Sequence, residues 1–348
     1  MSIKHILGDV AKKDTVYVHS VPASAQIYDS IWSELAGLSL EYTNDRVPRL
    51  SKLLAPTYFH KKKQIAPFSP DAIVLDVCAG HGAYSIAALE MGAQTVYVCD
   101  GSYAMLHKQT QKLKHTPPLY ENFNDRLIRV QADVEKIDEV FTKESFDLVF
   151  QRYAIHHVRN PFKTAYHMAR LVKPGGRLSF NFFITGCTPP VSRDLRRHFL
   201  KRDFEYVRSF LMPLGVVNKV SREIDISDVL SGKINMSPLF HETITYLKKL
   251  CEIYGSDAVV SRIHYEDLTT PYLHNIDPHM FYRFLTKEVG LNIEDGLVGT
   301  DEASMTFQVP AGGIRTPIIF PDPAIYSSED INLGDELIKN TEIKNRQM

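Results

Sequence analysis

The sequence predicts an α/β fold in which a mostly parallel sheet is covered by helices on both faces. Short runs that are almost entirely apolar, the first at 72–77, alternate from there onward with segments of helical periodicity. Turns rich in glycine and proline separate the two kinds of segment. Strands that are buried on both faces and joined through helices pair in parallel, with right-handed crossovers.

Five strands and the helices between them make up this alternation. We predict strands at 72–77, 95–100, 126–132, 145–150 and 177–183. Helices follow the first, second and fourth of these strands, at 83–92, 103–113 and 162–172. Gly92 ends the first helix and the segment "KPGG" ends the third, because glycine and proline interrupt helices. The result is a Rossmann-like layout, with its core at 71–183.

The chain on either side of this core follows other patterns. Residues 1–70 are predicted to be an N-terminal helical segment, because apolar side chains recur along one helical face at Ile27, Ile31, Trp32 and Leu35. After the fifth strand, residues 184–273 read as helices with polar connections, which predicts a helical cap inserted into the sheet domain.

Regular alternation returns at 274–326, the C-terminal part of the core. A helix there has Asp277 as its N-cap and Gly290 at its end, and two strand-like runs follow, which brings the predicted sheet to seven strands. The tail at 327–348 is polar, and we expect it to be partly disordered.

Composition narrows the possible functions. The 348 residues carry a net charge of −1, which provides no overall attraction to nucleic acid or to an anionic membrane. No apolar run reaches the roughly 18 residues that span a bilayer, and the start lacks the pattern of a secretory signal, so we expect a cytoplasmic protein. Neither the histidines nor the cysteines, which are Cys78, Cys99, Cys187 and Cys251, show metal-ligand spacing, so no metal is predicted and the thiols are expected to be reduced.

Acidic residues lie at the ends of three successive strands. Asp76 is at the end of the first strand, Asp100 closes the second, and "QADVEK" places Asp133 at the end of the third. The first strand also runs into a turn with Gly80 and Gly82, which lets the chain approach a ligand and exposes the backbone N–H groups of the next helix. The GxGxxG fingerprint of a dinucleotide site is missing.

These acids match a ligand without phosphates. A carboxylate repels a phosphate but pairs with an ammonium group, which Asp76 can do. Asp100 is placed to accept hydrogen bonds from two ribose hydroxyls, and Asp133 from the amine of adenine. An ammonium, an unphosphorylated ribose and an adenine occur in that order in S-adenosylmethionine.

Four ordered motifs between Ile73 and Phe183 resemble those of class I S-adenosylmethionine-dependent methyltransferases of the small-molecule branch. They are "LDVCAGHG", the acid followed by "GSYAML", "ADV", and "FDLVFQRYAIHHVRNP" with "ARLVKPGGRLSF". A weaker similarity extends from Tyr272 to Val309. The family usually has glycine where Cys78 stands, and a side chain there is expected to tighten the methionine end of the pocket.

The resemblance implies a Rossmann-like class I methyltransferase fold, S-adenosylmethionine as cofactor and S-adenosylhomocysteine as product. The implied cofactor-binding residues are Asp76, Ala79, Gly80, Gly82, Asp100, Gly101, Ser102, Met105, Ala132, Asp133, Val134, Gln151 and Arg152. For Met105 and the neighbouring Leu106, packing in the helix core is the competing interpretation.

Catalysis of methyl transfer needs a base only where the acceptor must lose a proton. The candidates are His156, His157 and Tyr153, which follow the fourth strand at the edge where such folds bind ligands. Packing is the alternative role for the histidine pair. His264, Tyr265 and His274 are candidates for the wall of the acceptor site.

The expected acceptor is a small metabolite or a peptide, methylated on oxygen, nitrogen or carbon. No NPPY-like segment or Pro-Cys nucleophile follows the fourth strand, and basic residues are not interleaved with aromatic ones, so a nucleic-acid substrate is disfavoured. A basic helix at 193–202 is interpreted as a solvated face, or as a cleft wall for an anionic substrate. Two other functions stay open: another use of the cofactor, such as aminopropyl transfer or a rearrangement, and a non-catalytic scaffold that binds the cofactor. Oligomeric state is left open.

Overall fold

The computed structural model describes residues 6–26, 46–55, 68–114, 121–184, 271–274, 276–299, 302–322 and 328–347. These residues fall into two units. The first unit contains all the strands that are described below. The described residues of the second unit are Pro271 and the C-terminal helix from residue 329 onward.

A mixed sheet of nine strands forms the centre of the first unit, with the order β1-β2-β5-β4-β3-β6-β7-β9-β8. The strands are β1 (Ala11–Lys13), β2 (Val16–Val18), β3 (Ile73–Val77), β4 (Thr95–Asp100), β5 (Leu127–Gln131), β6 (Phe146–Arg152), β7 (Val172–Phe183), β8 (Asn292–Val298) and β9 (Glu302–Gln308). The run from β2 through β5, β4, β3 and β6 to β7 is parallel, and β1, β9 and β8 are antiparallel to their neighbours. The predicted mostly parallel sheet is confirmed, but it has nine strands rather than seven.

The two additional strands lie in the segment that was predicted to be helical. β1 and β2 are three residues each, and β2 pairs in parallel with β5 through Val16 and Arg129. Such short strands carry no periodic pattern, and β1 is a polar run. The strands β1 and β2 depart from the helical prediction for residues 1–70, and α1 (Arg46–Leu54) agrees with it. The residues on which that prediction rested, Ile27, Ile31, Trp32 and Leu35, lie outside the described residues.

Helices cover both faces of the sheet, as predicted. On one face lie α1, α2 (Ala83–Glu90) and α3 (Tyr103–Lys114). On the other face lie α4 (Ile137–Val140), α5 (Pro161–Leu171) and α6 (Pro278–Arg283). The central strands contribute alternate residues to the two cores, so that Val74 packs on the α2 face and Leu75 on the α5 face.

The predicted helix signals are found at their positions. Asp277 caps α6 by accepting hydrogen bonds from the N–H groups of His279 and Met280 at 2.8 and 3.1 Å. The helix continues through a π turn, Phe284–Glu288, and Gly290 follows with a φ of 86°. β8 and β9 are the two strand-like runs predicted after it. The tail, where partial disorder was expected, forms a helix, α7 (Ser328–Gln347).

The predicted cap lies almost entirely outside the described residues, together with the basic helix at 193–202, His264, Tyr265, Cys187 and Cys251. The chain enters this stretch after Ile184 and leaves it before Tyr272, and Ile184 forms a parallel bridge with Ile276. Within the described ranges, no helix combines the length and hydropathy of a membrane-spanning segment.

Candidate active site

The turn after β3 is built from residues in left-handed backbone conformations. Cys78, Gly80 and Gly82 have φ values of 54°, 54° and 70°. A Cβ atom on Gly82 would lie 1.7 Å from Nε2 of Gln109, so any larger residue would collide with the α3 side chain packed there. Cys78 adopts the backbone conformation that favours glycine, which gives a physical reason why glycine is usual at this position in the family.

Asp100 ties this turn to the end of β4. Its Oδ2 accepts a hydrogen bond from the N–H of Gly80 at 2.7 Å, and its Oδ1 accepts one from the N–H of Ser102 at 2.8 Å. The Oγ of Ser102 in turn accepts a hydrogen bond from the N–H of Met105. This bond fixes the first turn of α3 next to the end of β4. Both oxygens of Asp100 are thus fixed at the carboxyl edge of the sheet.

Asp76 lies inside β3 rather than at its last residue, and its side chain is 3% exposed. It accepts a hydrogen bond from Oγ of Ser85, in the first turn of α2, at 2.6 Å. Burial raises the pKa of this carboxyl from 3.8 to about 7, the Ser85 hydrogen bond opposes the rise, and the negative charge of Asp100 adds to it. At neutral pH the Asp76 carboxyl is therefore only partly ionised, and a cation placed beside it would favour the ionised form.

Asp133 lies two residues beyond the end of β5, where it caps a 3-10 turn at Val134–Lys136. Its Oδ1 accepts from the N–H of Glu135 at 3.0 Å, and its own N–H donates to Oγ of Ser20 at 3.1 Å. Ser20 follows the strand β2, which connects this end of the sheet to the N-terminal segment.

The ends of the neighbouring strands β5, β4 and β3 bring the three acids near the turn that contains Cys78. Withdrawal from water raises the pKa of the Cys78 thiol most, followed by the negative charges of Asp100, Cys99, Asp76 and Asp133. A single side chain in the turn is therefore within electrostatic range of all three carboxylates. The strands β5, β4 and β3 are neighbours in the sheet, which is why their carboxyl ends meet.

The end of β6 brings two further predicted residues to the same edge. The guanidinium carbon of Arg152 lies 4.4 Å from the ring centre of Tyr84 and 4.6 Å from that of Tyr153. Tyr153 has a φ of 51°, and its hydroxyl donates to Oε2 of Glu302 on β9. Burial, and then the bond to Glu302, raise the pKa of Tyr153 to about 12.

The histidine pair lies just beyond, in the 3-10 turn Ile155–His157. The ring of His156 is fully buried, 4.1 Å from the ring of His157 and 5.2 Å from that of Phe183 between ring centres. Nδ1 of His157 lies 3.3 Å from the carbonyl oxygen of Tyr272. His274 donates from its N–H to the carbonyl of His156, and its Nε2 lies 2.8 Å from that of Val158, so it buttresses the histidine turn.

The other predicted residues occupy different positions around this edge. A Cβ on Gly80 would contact Cε of Met105 at 3.8 Å, so Met105 lies against the glycine turn, whereas Leu106 is buried in the α2-face core. Ala79, Gly101 and Ala132 lie in the loops after β3, β4 and β5, and Val134 begins the 3-10 turn that Asp133 caps. Four further residues could not be predicted because they belong to no motif and reach this edge through contacts with distant residues: Ser20, Tyr84, Ser85 and Glu302.

The residues at the edge are compatible with S-adenosylmethionine. The clearest sign is Gln151, whose amide is 1% exposed at the end of β6 and has no hydrogen-bond partner for either atom among the described residues. A buried amide without partners is costly, and a polar ligand at this edge would supply them. Among the described residues, no group of three or more histidine, cysteine or acidic side chains is arranged to hold a metal ion.

Comparison with known proteins also indicates a methyltransferase. Residues 75–180 match the family model described as a methyltransferase domain. They belong to the class I S-adenosylmethionine-dependent methyltransferases. S-adenosylmethionine is the cofactor of this methyltransferase domain.

Several similar proteins match the methyltransferase domain together with neighbouring parts of the chain. A demethylmenaquinone methyltransferase from Clavibacter sepedonicus is 33% identical over 176 residues, which are 51% of this chain and 63% of that protein. The ubiquinone/menaquinone biosynthesis C-methyltransferase UbiE from Idiomarina loihiensis is 28% identical over 198 residues, 56% and 69% of the two chains. A solved O-methyltransferase family protein from Burkholderia thailandensis is 15% identical with a TM-score of 0.41, covering 83% and 71%. The match thus spans less than two thirds of the first of these relatives.

Proposed function

We propose that the protein transfers a methyl group from S-adenosylmethionine to a small metabolite or peptide. The observation that carries the proposal is the convergence of Asp76, Asp100 and Asp133 around the turn at Cys78 and Gly80. Three carboxylates at one sheet edge are expensive to keep together without cations or donors between them. An ammonium, two ribose hydroxyls and an adenine amine provide those groups.

Each acid has a distinct role in this proposal. Asp100 would accept hydrogen bonds from the ribose hydroxyls, because its oxygens are fixed by Gly80 and Ser102. Asp133 would accept from the adenine amine through Oδ2, because the N–H of Glu135 donates to its Oδ1. Asp76 would pair with the ammonium, either directly or through water. When bound, the cofactor supplies an activated methyl group, so the chain mainly has to orient the acceptor and exclude water.

Removal of a proton from the acceptor is assigned to the histidine turn. A carbonyl oxygen can only accept a hydrogen bond, so the contact with Tyr272 requires that Nδ1 of His157 carries the proton. Nε2 then carries the lone pair, which is the tautomer a base needs. Tyr153 is not proposed as the base, because with a pKa of about 12 it keeps its proton at neutral pH and its hydroxyl donates that proton to Glu302.

Similar proteins favour one kind of acceptor. Two of the curated relatives are named for methylation in quinone biosynthesis, and one name specifies transfer to carbon. A carbon beside a phenolic hydroxyl becomes nucleophilic when the hydroxyl loses its proton, which fits a site with a histidine base. We therefore propose a hydroxylated aromatic ring as the first acceptor class to test, before alcohols and peptides.

The test separates methyl transfer from the two alternatives. The purified chain is incubated with S-adenosylmethionine carrying a radioactive methyl group and with 1,4-naphthohydroquinone, a simple phenol or a peptide mixture. Label in the acceptor together with S-adenosylhomocysteine supports the proposal. Consumption of the cofactor without S-adenosylhomocysteine indicates another use of it, such as aminopropyl transfer. Binding of S-adenosylhomocysteine without turnover of any acceptor indicates a scaffold, and the absence of binding overturns the proposal.

A further inference from the structure

We infer that His274 is a positioning residue, which holds the histidine turn so that the carbonyl of Tyr272 keeps the proton of His157 on Nδ1. The inference rests on the proposed role of His157 as a base, and it explains how the chain selects the nitrogen that takes the acceptor's proton. The contacts of the segment 272–274, their lengths, the positions of the protons and the burial of the segment support it.

The segment 272–274 contacts three consecutive residues at the histidine turn. The N–H of His274 donates to the carbonyl oxygen of His156 at 2.8 Å. Nε2 of the same residue lies 2.8 Å from the carbonyl oxygen of Val158. Between these two positions, Nδ1 of His157 lies 3.3 Å from the carbonyl oxygen of Tyr272. The residue proposed as the base is therefore flanked on both sides by attachments that His274 makes.

The lengths of these contacts show which of them hold the turn. Hydrogen bonds from N–H to oxygen usually measure about 2.7 to 3.2 Å. The two contacts of His274 lie within this range, whereas the contact between His157 and Tyr272 is slightly longer. The longer contact depends on its neighbours to keep the ring of His157 and the carbonyl facing each other. We therefore expect it to be lost when the side chain of His274 no longer binds Val158.

The positions of the protons follow from the carbonyl partners. A carbonyl oxygen only accepts, so Nε2 of His274 carries a proton and donates it to Val158. For the same reason Nδ1 of His157 carries a proton. A neutral imidazole has one such proton, which leaves the lone pair of His157 on Nε2. Without the carbonyl of Tyr272, the proton distributes over both nitrogens, and a smaller fraction of the rings has the form that the proposed base needs.

Burial keeps the segment in place. Tyr272 and His274 are both buried, and their rings lie nearly parallel, with 6.4 Å between the ring centres. Two positions beyond His274, the chain joins the main core at Ile276, which also forms a bridge with Ile184 just after β7. Packed side chains must therefore move before the carbonyl of Tyr272 can leave His157.

Nitrogen-15 NMR of protein labelled at histidine measures the tautomer directly, because a ring nitrogen that carries a proton differs in chemical shift from one that does not. Spectra are recorded at pH 8, where an imidazole with an ordinary pKa is neutral. The signals that disappear in His157→Gln identify His157. His274→Phe keeps an aromatic ring and the backbone N–H but removes the donor to Val158, whereas His274→Gln places an amide N–H near the position of Nε2. His279→Phe is the matched control, since His279 is exposed on α6.

We expect the wild type, His274→Gln and His279→Phe to hold His157 mainly with its proton on Nδ1. In His274→Phe, the ratio of the two tautomers should shift by about 5- to 10-fold toward the proton on Nε2, the range for the loss of one neutral hydrogen bond. In the same variant, kcat for methyl transfer to 1,4-naphthohydroquinone should fall, while KM for S-adenosylmethionine stays unchanged. His274→Gln should recover most of this loss.

An unchanged tautomer ratio in His274→Phe would leave His274 with a packing role and overturn the inference. A wild type in which His157 carries its proton on Nε2 would overturn it as well. Circular dichroism shows whether each variant is folded. If His274→Phe is not, the same expectation applies to His274→Asn, whose side chain is too short to reach Val158. The spectra require neither cofactor nor acceptor, so a wild type without methyl transfer refutes the proposed function, whereas the tautomer ratio tests this inference separately.

Discussion

The N–H of Gly80 donates to Oδ2 of Asp100 at 2.7 Å, which joins the glycine turn after β3 to the last residue of β4. The other oxygen of Asp100 accepts from Ser102. Because both oxygens face N–H donors, the carboxylate cannot be exchanged for an amide without placing an NH₂ group against one of them. The conformation of the glycine turn after β3 therefore depends on the negative charge of Asp100 at the end of β4.

Asp100→Asn is accordingly expected to weaken S-adenosylhomocysteine binding by about 10- to 100-fold, through a lost charge-assisted hydrogen bond and a displaced turn. Calorimetry measures the effect. Asp147→Asn is the matched control, because Asp147 also accepts a backbone N–H, that of Ile73, but lies at the opposite end of β6. Equal losses in the two variants would contradict a specific role for Asp100.

Asp76 is expected to make the stability of the ligand-free protein depend on pH. Its folded pKa of about 7 lies above the ordinary carboxyl pKa of 3.8, so the folded state holds the proton more tightly than the unfolded state. The protonated carboxyl therefore contributes to the free energy of unfolding. This contribution of about 4 kcal/mol is fully present below about pH 4 and is lost as the pH rises to about 7. Urea unfolding of the wild type and of Asp76→Asn at pH 5 and pH 8 measures this. The advantage of the wild type over the variant should shrink at pH 8, and a constant difference would refute the shift.

Cys78 offers a test of backbone strain in the turn. Cys78 has a φ of 54°, and an alanine adopts this backbone conformation at a cost in free energy roughly 1 kcal/mol higher than a glycine does. Cys78→Gly should therefore be more stable than Cys78→Ala by about that amount in denaturant unfolding. If the cysteine side chain also narrows the methionine end of the pocket, Cys78→Gly binds S-adenosylhomocysteine more tightly than the wild type. A less stable glycine variant would show that the turn relaxes in solution.

His157→Gln is expected to lower the methylation rate of the best acceptor by about 10²- to 10⁴-fold, the range for general-base catalysis. Binding of S-adenosylhomocysteine should not change. His279→Gln is the control, since His279 is exposed on α6. If His157→Gln methylates the acceptor at the normal rate and His156→Gln is slow, the base is the buried His156 and not His157.

The parallel core could be predicted from the sequence because its strands are buried on both faces and separated by clear helix stops. The positions of Asp76, Asp100 and Asp133 followed from that pattern together with the resemblance to the family. In the structure only Asp100 is the last residue of its strand, whereas Asp76 is inside β3 and Asp133 is two residues past β5. A motif fixes the order of such residues, but hydrogen bonding decides where each strand ends.

The remaining features depend on contacts between distant parts of the chain. Tyr153 meets Glu302 across 149 positions, and Asp133 meets Ser20 across 113. No local periodicity encodes such pairs. The strands β1 and β2 were missed for a related reason, because β2 is stabilised by its pairing with β5 rather than by its own propensity.

The central claim is that carboxylates from three neighbouring strands hold one nucleoside. A crystal structure with S-adenosylhomocysteine tests it by showing which ligand groups contact these carboxylates. We predict the ribose hydroxyls on Asp100, the adenine amine beside Asp133, and the ammonium of the amino acid end beside Asp76. A ligand bound elsewhere, or an edge where protein side chains fill the space between these acids, would contradict it.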